Sequence, residues 1–127
     1  MNYGISKTLD ISYEQAIDKV TEELKKNGFG VLTTIDVKDT LKKKLDVDFH
    51  KYIILGACNP PFAYEALKVE EQIGLLMPCN VIVYEKEGKT EVAAFNPSSM
   101  AAMTGNKKLE EISIKLNELM YKVIDNL

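Results

Sequence analysis

Several residue types are scarce in this sequence, and each shortage excludes a class of site. There is no tryptophan, and there are only one histidine and two cysteines. A single histidine cannot build a histidine-rich zinc site, because zinc needs four protein ligands or three and a water. Cys58 and Cys79 are 21 positions apart, which matches neither a C-x-x-C redox motif nor a zinc knuckle. No apolar run approaches the length needed to span a bilayer.

The composition that remains is that of an ordinary globular protein. The chain of 127 residues is 46% hydrophobic and 28% charged, with a net charge of −3, which fits one domain over residues 1–127. An acidic chain without a clustered basic face is a poor nucleic-acid binder. The start of the chain is charged and strand-like, unlike a signal peptide. With two cysteines and no signal, we expect a cytoplasmic protein with free thiols and no membrane partner.

The hydrophobic periodicity predicts an α+β domain with the element order β-α-β-α-β-α-β-β-α. We expect its sheet to be curved and mostly antiparallel, with helices packed on one face. The stretch PSSMAAMTG before the last helix is predicted as a loop. The predicted strands are Tyr3–Asp10, Phe29–Ile35, His50–Ala57, Asn80–Glu85 and Thr90–Asn96. The predicted helices follow Ser12, Asp36, Asn59 and Asn106, and Leu109, Ile112, Leu116, Leu119 and Val123 form the core stripe of the last one.

The third and fourth strands lack the apolar–polar alternation of a sheet with one wet face. Ile53 and Leu55 alternate with other apolar residues, and so do Ile82 and Tyr84. A large exposed apolar face is uncommon on a monomer. The pattern therefore predicts that a second copy covers the sheet face that the helices leave open, giving a homodimer.

The segment LGACNPPFAYEAL places Cys58 at the end of a strand and directly before a helix. A helix N-terminus can lower the pKa of a thiol, but Pro60 and Pro61 remove the first amide donors there. Asn59 is predicted to cap the helix. We expect burial to dominate, so that Cys58 is a slow thiol that fills space beneath the corner. His50, the lone histidine, is predicted at the surface; along an extended strand it lies roughly 26 Å from Cys58.

Cys79 resembles Cys58 in its setting, since each cysteine stands at a strand end and is followed by asparagine. If the two strands are neighbours, Cys58, Asn59, Cys79 and Asn80 meet at one rim of the sheet. Thiols and thioethers, here including Met100, suit Cu(I) or a haem edge better than magnesium or calcium. Core packing is the competing interpretation for the cysteines and for the methionine-containing loop.

Three motifs of this chain resemble the domain-of-unknown-function 302 family over nearly its whole length. They are GACNPP, L-x-P-C-N, and a late N-P-x-x-M followed by T-G-N, which here comprises Asn96, Pro97, Met100, Thr104, Gly105 and Asn106. The resemblance implies a TATA-binding-protein-like fold, usually seen as a homodimer, and no established activity. Members usually carry aspartate-proline in the late motif. Asn96 in this chain argues against a catalytic carboxylate there.

The sequence supports three functional hypotheses and names neither a cofactor nor a reaction. The first is a homodimer that binds a small ligand or a soft metal at the rim, with Cys58, Asn59, Cys79, Asn80, Asn96 and Met100 as candidate ligand-binding residues. The second is a thiol-based enzyme or redox sensor that uses Cys58. The third is a structural motif whose function lies in a protein partner. Common hydrolase and nucleotide-binding signatures are absent from the sequence, which leaves open whether the protein is an enzyme.

Overall fold

The computed structural model describes residues 3–127, and it confirms the predicted α+β class and element order. The strands are β1 (Gly4–Leu9), β2 (Gly30–Asp36), β3 (Tyr52–Cys58), β4 (Cys79–Lys86) and β5 (Lys89–Phe95). The helices are α1 (Tyr13–Lys26), α2 (Val37–Leu45), α3 (Pro60–Val69), α4 (Ser98–Thr104) and α5 (Lys107–Asp125), and a 3₁₀ helix covers Glu71–Leu76. None of the helices found between residues 3 and 127 is both long and apolar enough to cross a membrane.

The five strands form one antiparallel sheet in the order β1-β5-β4-β3-β2. A tight turn joins β4 to β5, with Lys86 opposite Lys89 in the register. Its two central residues, Glu87 and Gly88, both have positive φ angles, as hairpin turns of two residues require. The central strand β4 lies between β5 and β3, so the chain segments that carry the two cysteines are neighbours.

Helices α1 and α5 cover one face of this sheet and enclose the core. A capping box starts α1, with the Ser12 hydroxyl accepting from the Gln15 amide and the Gln15 side chain accepting from the Ser12 amide. Val81, Val83 and Val92 are fully buried beneath the helices. We refer to this side of the sheet as the helix face.

The opposite side, which we call the open face, carries an apolar row across the sheet. The register aligns Ile35, Ile54, Ile82 and Ala93 across four adjacent strands, ending at Ser6 on β1. None of these five side chains is buried. Of the four residues from which the sequence predicts a dimer, only Ile82 and Tyr84 lie on the open face. Ile53 and Leu55 pair with Val83 and Val81 and point to the helix face.

The segment that the sequence predicted as a loop is instead the short helix α4, Ser98–Thr104. Its signals are visible in retrospect. The Asn96 side chain accepts a hydrogen bond from the Ser98 amide, and Gly105 ends the helix with a φ of 68°. The alanines and methionines between them are good helix formers. Helix α4 is anchored by Met100, which is 2% exposed.

Replacing Leu116 with alanine should lower the free energy of unfolding by roughly 2–5 kcal/mol, because the change removes buried apolar surface and leaves a cavity. Leu116 is 5% exposed on the core side of α5. Urea denaturation followed by circular dichroism measures the change. The control is Ile114→Ala, since Ile114 is exposed on the same helix. A loss below about 0.5 kcal/mol for Leu116→Ala, the level of a surface substitution, would contradict this packing.

Gly56 sits in the central part of β3 where a side chain does not fit. A Cβ at this position would collide with the Thr33 hydroxyl and come within 2.8 Å of the Pro78 ring. We therefore expect Gly56→Ala to destabilise the protein by about 1–3 kcal/mol, as overpacking does. Gly30→Ala is the matched control, since nothing lies within 4 Å of the added carbon there. Equal denaturation midpoints for Gly56→Ala and Gly30→Ala would show that the close contacts at residue 56 do not destabilise the protein.

Candidate functional site

A narrow cavity lies on the helix face where β3 ends and β4 begins. Residues of α3, α4 and α5 line it as well. Its volume is about 20 Å³, which is room for roughly one water-sized group. The lining residues are Phe29, Ala57, Cys58, Asn59, Phe62, Ala63, Ala66, Met77, Pro78, Cys79, Met100 and Leu116. Four of the six candidate residues from the sequence therefore lie on one cavity: Cys58, Asn59, Cys79 and Met100.

The strand register explains why both thiols reach this cavity. Ala57 on β3 is paired with Cys79 on β4, and Cys58 is the next residue along β3. Both cysteines lie within the described chain and are free thiols. Cys79 is 8% exposed, whereas Cys58 keeps more of its surface in contact with solvent. The pair thus combines an inner thiol with an outer thiol.

Burial raises the pKa of both thiols. For Cys79 the pKa rises from 9.0 to about 11, first because of burial and second because the Cys58 sulfur is close enough for its charge to oppose a second thiolate. Burial alone raises the pKa of Cys58. Both groups are therefore protonated thiols at neutral pH, which agrees with the expectation that desolvation outweighs the helix dipole at Cys58.

Asn59 stands at the N-cap position of α3, but the expected side-chain cap is wrong. Its side chain makes no capping hydrogen bond, and it has no side-chain hydrogen-bond partner within residues 3–127. An N-cap side chain accepts from the second or third helical amide. Here Pro61 occupies the second position and has no N–H, which removes half of the targets. Asn59 is 8% exposed as a whole residue, but its amide is not one of the fully enclosed polar groups without a partner, which among the described residues are Ser113 Oγ and Asn117 Oδ1.

Gly28 forms the support behind the Asn59 amide. Its φ is +83°, and a Cβ there would lie 3.1 Å from the Asn59 Nδ2 atom. Glycine therefore serves both the backbone conformation and the close approach of the amide. The arrangement holds the Asn59 side chain between the end of α1 and the cavity.

The two other candidate residues lie elsewhere. Asn80 is exposed on the open face, because neighbouring residues of a strand point to opposite sides. It lines a separate shallow depression of about 240 Å³ with Tyr3, Gly4, Ile82, Ala93, Ala94 and Phe95. Asn96 lies before α4, where its backbone amide donates to Tyr3 and its side chain accepts from Ser98. It lines neither cavity.

His50 belongs to an aromatic cluster at the opposite end of β3. Its ring lies 4.1 Å from that of Phe49 and 6.0 Å from those of Tyr52 and Tyr84. Tyr52 is five residues from Ala57, the partner of Cys79, and five residues of strand span roughly 17 Å. The surface position of His50 is confirmed, and the structure does not bring it to either cysteine.

The walls of the cavity include residues that the sequence did not single out. Phe29 and Phe62 enclose it, and Leu116 closes it from α5. The apolar stripe of the last helix predicts that Leu116 is in the core, but it does not place this residue beside the cysteines. No local pattern links Phe29 to the cysteine motifs. Between residues 3 and 127 there is no group of three or more histidine, cysteine, aspartate or glutamate side chains placed to hold a metal ion.

The comparisons with known proteins agree with this fold and with the motifs. The family model described as "Domain of unknown function DUF302" matches residues 5–127. The chain belongs to the DUF302 family. A similar solved structure is the crystal structure of an uncharacterized conserved DUF302 protein from Bacillus stearothermophilus, with 27% identity, a TM-score of 0.91 and 98% of both chains covered. No curated protein matches the chain.

The accessibility of the thiols in this DUF302 chain leads to an ordered reactivity with iodoacetamide. At pH 7 Cys58 should react before Cys79, and both should react more slowly than a free model thiol, because only the thiolate attacks. Since both pKa values are raised, the rates should still increase above pH 9. Peptide mapping of the native protein after timed labelling measures each site. Faster labelling of Cys79, or of Cys58 relative to the model thiol, would contradict the burial described above.

Proposed function

We propose that this protein is a homodimeric binding protein, with a small ligand or soft metal ion held in the cavity of Cys58, Asn59, Cys79 and Met100. The observation that carries the proposal is that two thiols, a thioether and an amide line the same cavity. The sulfur atoms suit a soft metal ion. A polar group of a small ligand can form a hydrogen bond with the amide.

The raised thiol pKa values argue against nucleophilic catalysis at Cys58. A catalytic cysteine is usually activated by a lowered pKa or an adjacent base. Here burial raises the pKa at both positions, and the only histidine lies at the other end of β3. The alternative of a thiol-based enzyme that uses Cys58 is therefore the weaker proposal.

The dimer is proposed to form through the open face. The row of Ile35, Ile54, Ile82 and Ala93 crosses the sheet without a charged residue, so a second copy can cover it without burying unpaired charge. Beside it, β2 and α2 add further exposed apolar side chains. Leu32 is 68% and Leu45 65% exposed, and no residue of α2, all of which is described, is buried.

The remaining expectations concern location and other partners. Two unlinked thiols on one cavity fit a reducing compartment, and we propose a cytoplasmic protein. The net charge of −3 continues to disfavour nucleic acid as a partner. The TATA-binding-protein-like assignment also stays a prediction.

A larger side chain in the cavity lining should prevent the proposed ligand or metal ion from binding. We expect native mass spectrometry of the wild-type protein, as purified under anaerobic conditions, to show added mass that is lost on denaturation. Ala63→Leu, which adds bulk to the lining, should remove that mass, and Ala101→Leu on α4 is the control outside the lining. An identical spectrum for wild type and Ala63→Leu would contradict the proposed site.

A charge on the open face should dissociate the dimer. Light scattering at micromolar concentration should give twice the chain mass for wild type and the monomer mass for Ile82→Glu, because the glutamate would be buried without a partner. Leu75→Glu is the matched control, since Leu75 is 84% exposed on the 3₁₀ helix, away from this face. A monomeric wild-type protein, or an Ile82→Glu variant that remains dimeric, would refute this interface.

A further inference from the structure

We propose that the cavity occupant is a single Cu(I) ion, bound by the thiolates of Cys58 and Cys79 with methionine thioethers beside them. This inference rests on the proposed binding function and names its ligand. On binding, two S–H bonds are replaced by two Cu–S bonds, and two protons pass to solvent. No electron is transferred, because copper enters as Cu(I) and remains Cu(I).

The chemistry of the lining selects a soft ion. Its heteroatom side chains are the two thiols, the thioethers of Met77 and Met100, and the Asn59 amide. Thiolates and thioethers select Cu(I), whereas carboxylates and carbonyls suit magnesium and calcium. Neither a carboxylate nor the imidazole lines the cavity.

The number of ligands separates Cu(I) from zinc. Protein zinc sites take four ligands, or three and a water, and this cavity offers two thiolates. The described residues hold no cluster of three or more histidine, cysteine or acidic side chains that would complete a zinc site. Cu(I) is a d¹⁰ monovalent ion that accepts two sulfur ligands. It therefore matches the pair of Cys58 and Cys79 better than zinc does.

The size of the cavity favours an ion over an organic molecule. About 20 Å³ is far below the 300–1,000 Å³ of typical small-molecule sites. It is close to the space that one water requires. Phe29, Phe62 and Leu116 form apolar walls around this space.

The surroundings also stabilise the charge of the bound state. One Cu(I) with two thiolates carries a net charge of −1. Cys58 and Asn59 lie at the N-terminus of the ten-residue helix α3, whose dipole stabilises an anion. Pro60 and Pro61 lack amide hydrogens, whereas the Asn59 side chain, which does not cap the helix, brings an N–H donor to the cavity lining. On this proposal Asn59 acts beside the metal rather than at the helix cap.

The test is an anaerobic titration of the whole protein with Cu(I), in competition with bathocuproine disulfonate. Wild type should bind one Cu(I) per chain, and X-ray absorption should show only sulfur ligands. Cys58→Ser and Cys79→Ser should each weaken binding by more than about 100-fold, since even outer-shell changes cost 10–100-fold. Asn59→Leu should weaken it by about 10–100-fold. Met103→Leu, an exposed methionine outside the lining, should leave it unchanged.

Circular dichroism of each variant separates loss of binding from loss of folding, and Cys58→Ser, at the outer position, keeps the test decisive if Cys79→Ser does not fold. Cu(I) affinity equal to wild type in folded Cys58→Ser would overturn the inference. So would nitrogen or oxygen ligands in the absorption spectrum. If Cu(I) does not bind but native mass spectrometry finds an organic occupant that Ala63→Leu removes, this inference fails while the proposed binding function stands.

Discussion

The pairing of β3 with β4 determines both surfaces on which the proposals rest. Antiparallel pairing sets Tyr52 opposite Tyr84, Ile54 opposite Ile82, and Ala57 opposite Cys79. A slip of one residue would move every side chain of a strand to the other face. Val81 and Val83 are apolar and fully buried. Such a slip would be costly, because it would expose both valines and bury Asn80. The same register therefore defines the core, the open face and the place of the inner thiol.

The order of elements was predictable because each carries a strong local signal. The Ser12 capping box is a local sequence motif, and the stripe of Leu109 and Leu116 is a helical periodicity. Neither signal needs tertiary information. Helix α4 was missed because small residues between Pro97 and Gly105 are equally typical of a loop. The separation of Asn80 from Cys79 was also missed. It follows from strand alternation, by which neighbouring residues of β4 point to opposite faces of the sheet.

The cavity itself was only partly predictable. Cys58 and Cys79 were expected at one rim, and the register brings them there. The absence of a side-chain cap at Asn59 was not expected, since asparagine before proline normally indicates a cap. The second proline, Pro61, disfavours this cap because it removes one of the two amides from which the Asn59 side chain could accept a hydrogen bond. Walls such as Phe29 come from distant parts of the chain, and a single sequence contains no signal for those contacts.

The proposed dimer interface and the proposed binding cavity lie on opposite faces of the sheet. On β4, Cys79 points to the cavity and Asn80 to the open face, and the alternation continues through Val81 and Ile82. The proposed second copy would therefore cover Ile82 on one side of β4, whereas Cys79 lies on the other side, in the cavity. The cavity is lined by residues from β3, α3, β4, α4 and α5 and from connecting segments. If the proposed dimer forms through the open face, its dissociation should leave the lining of the cavity unchanged, because Ile35, Ile54 and Ile82 do not contribute to that lining.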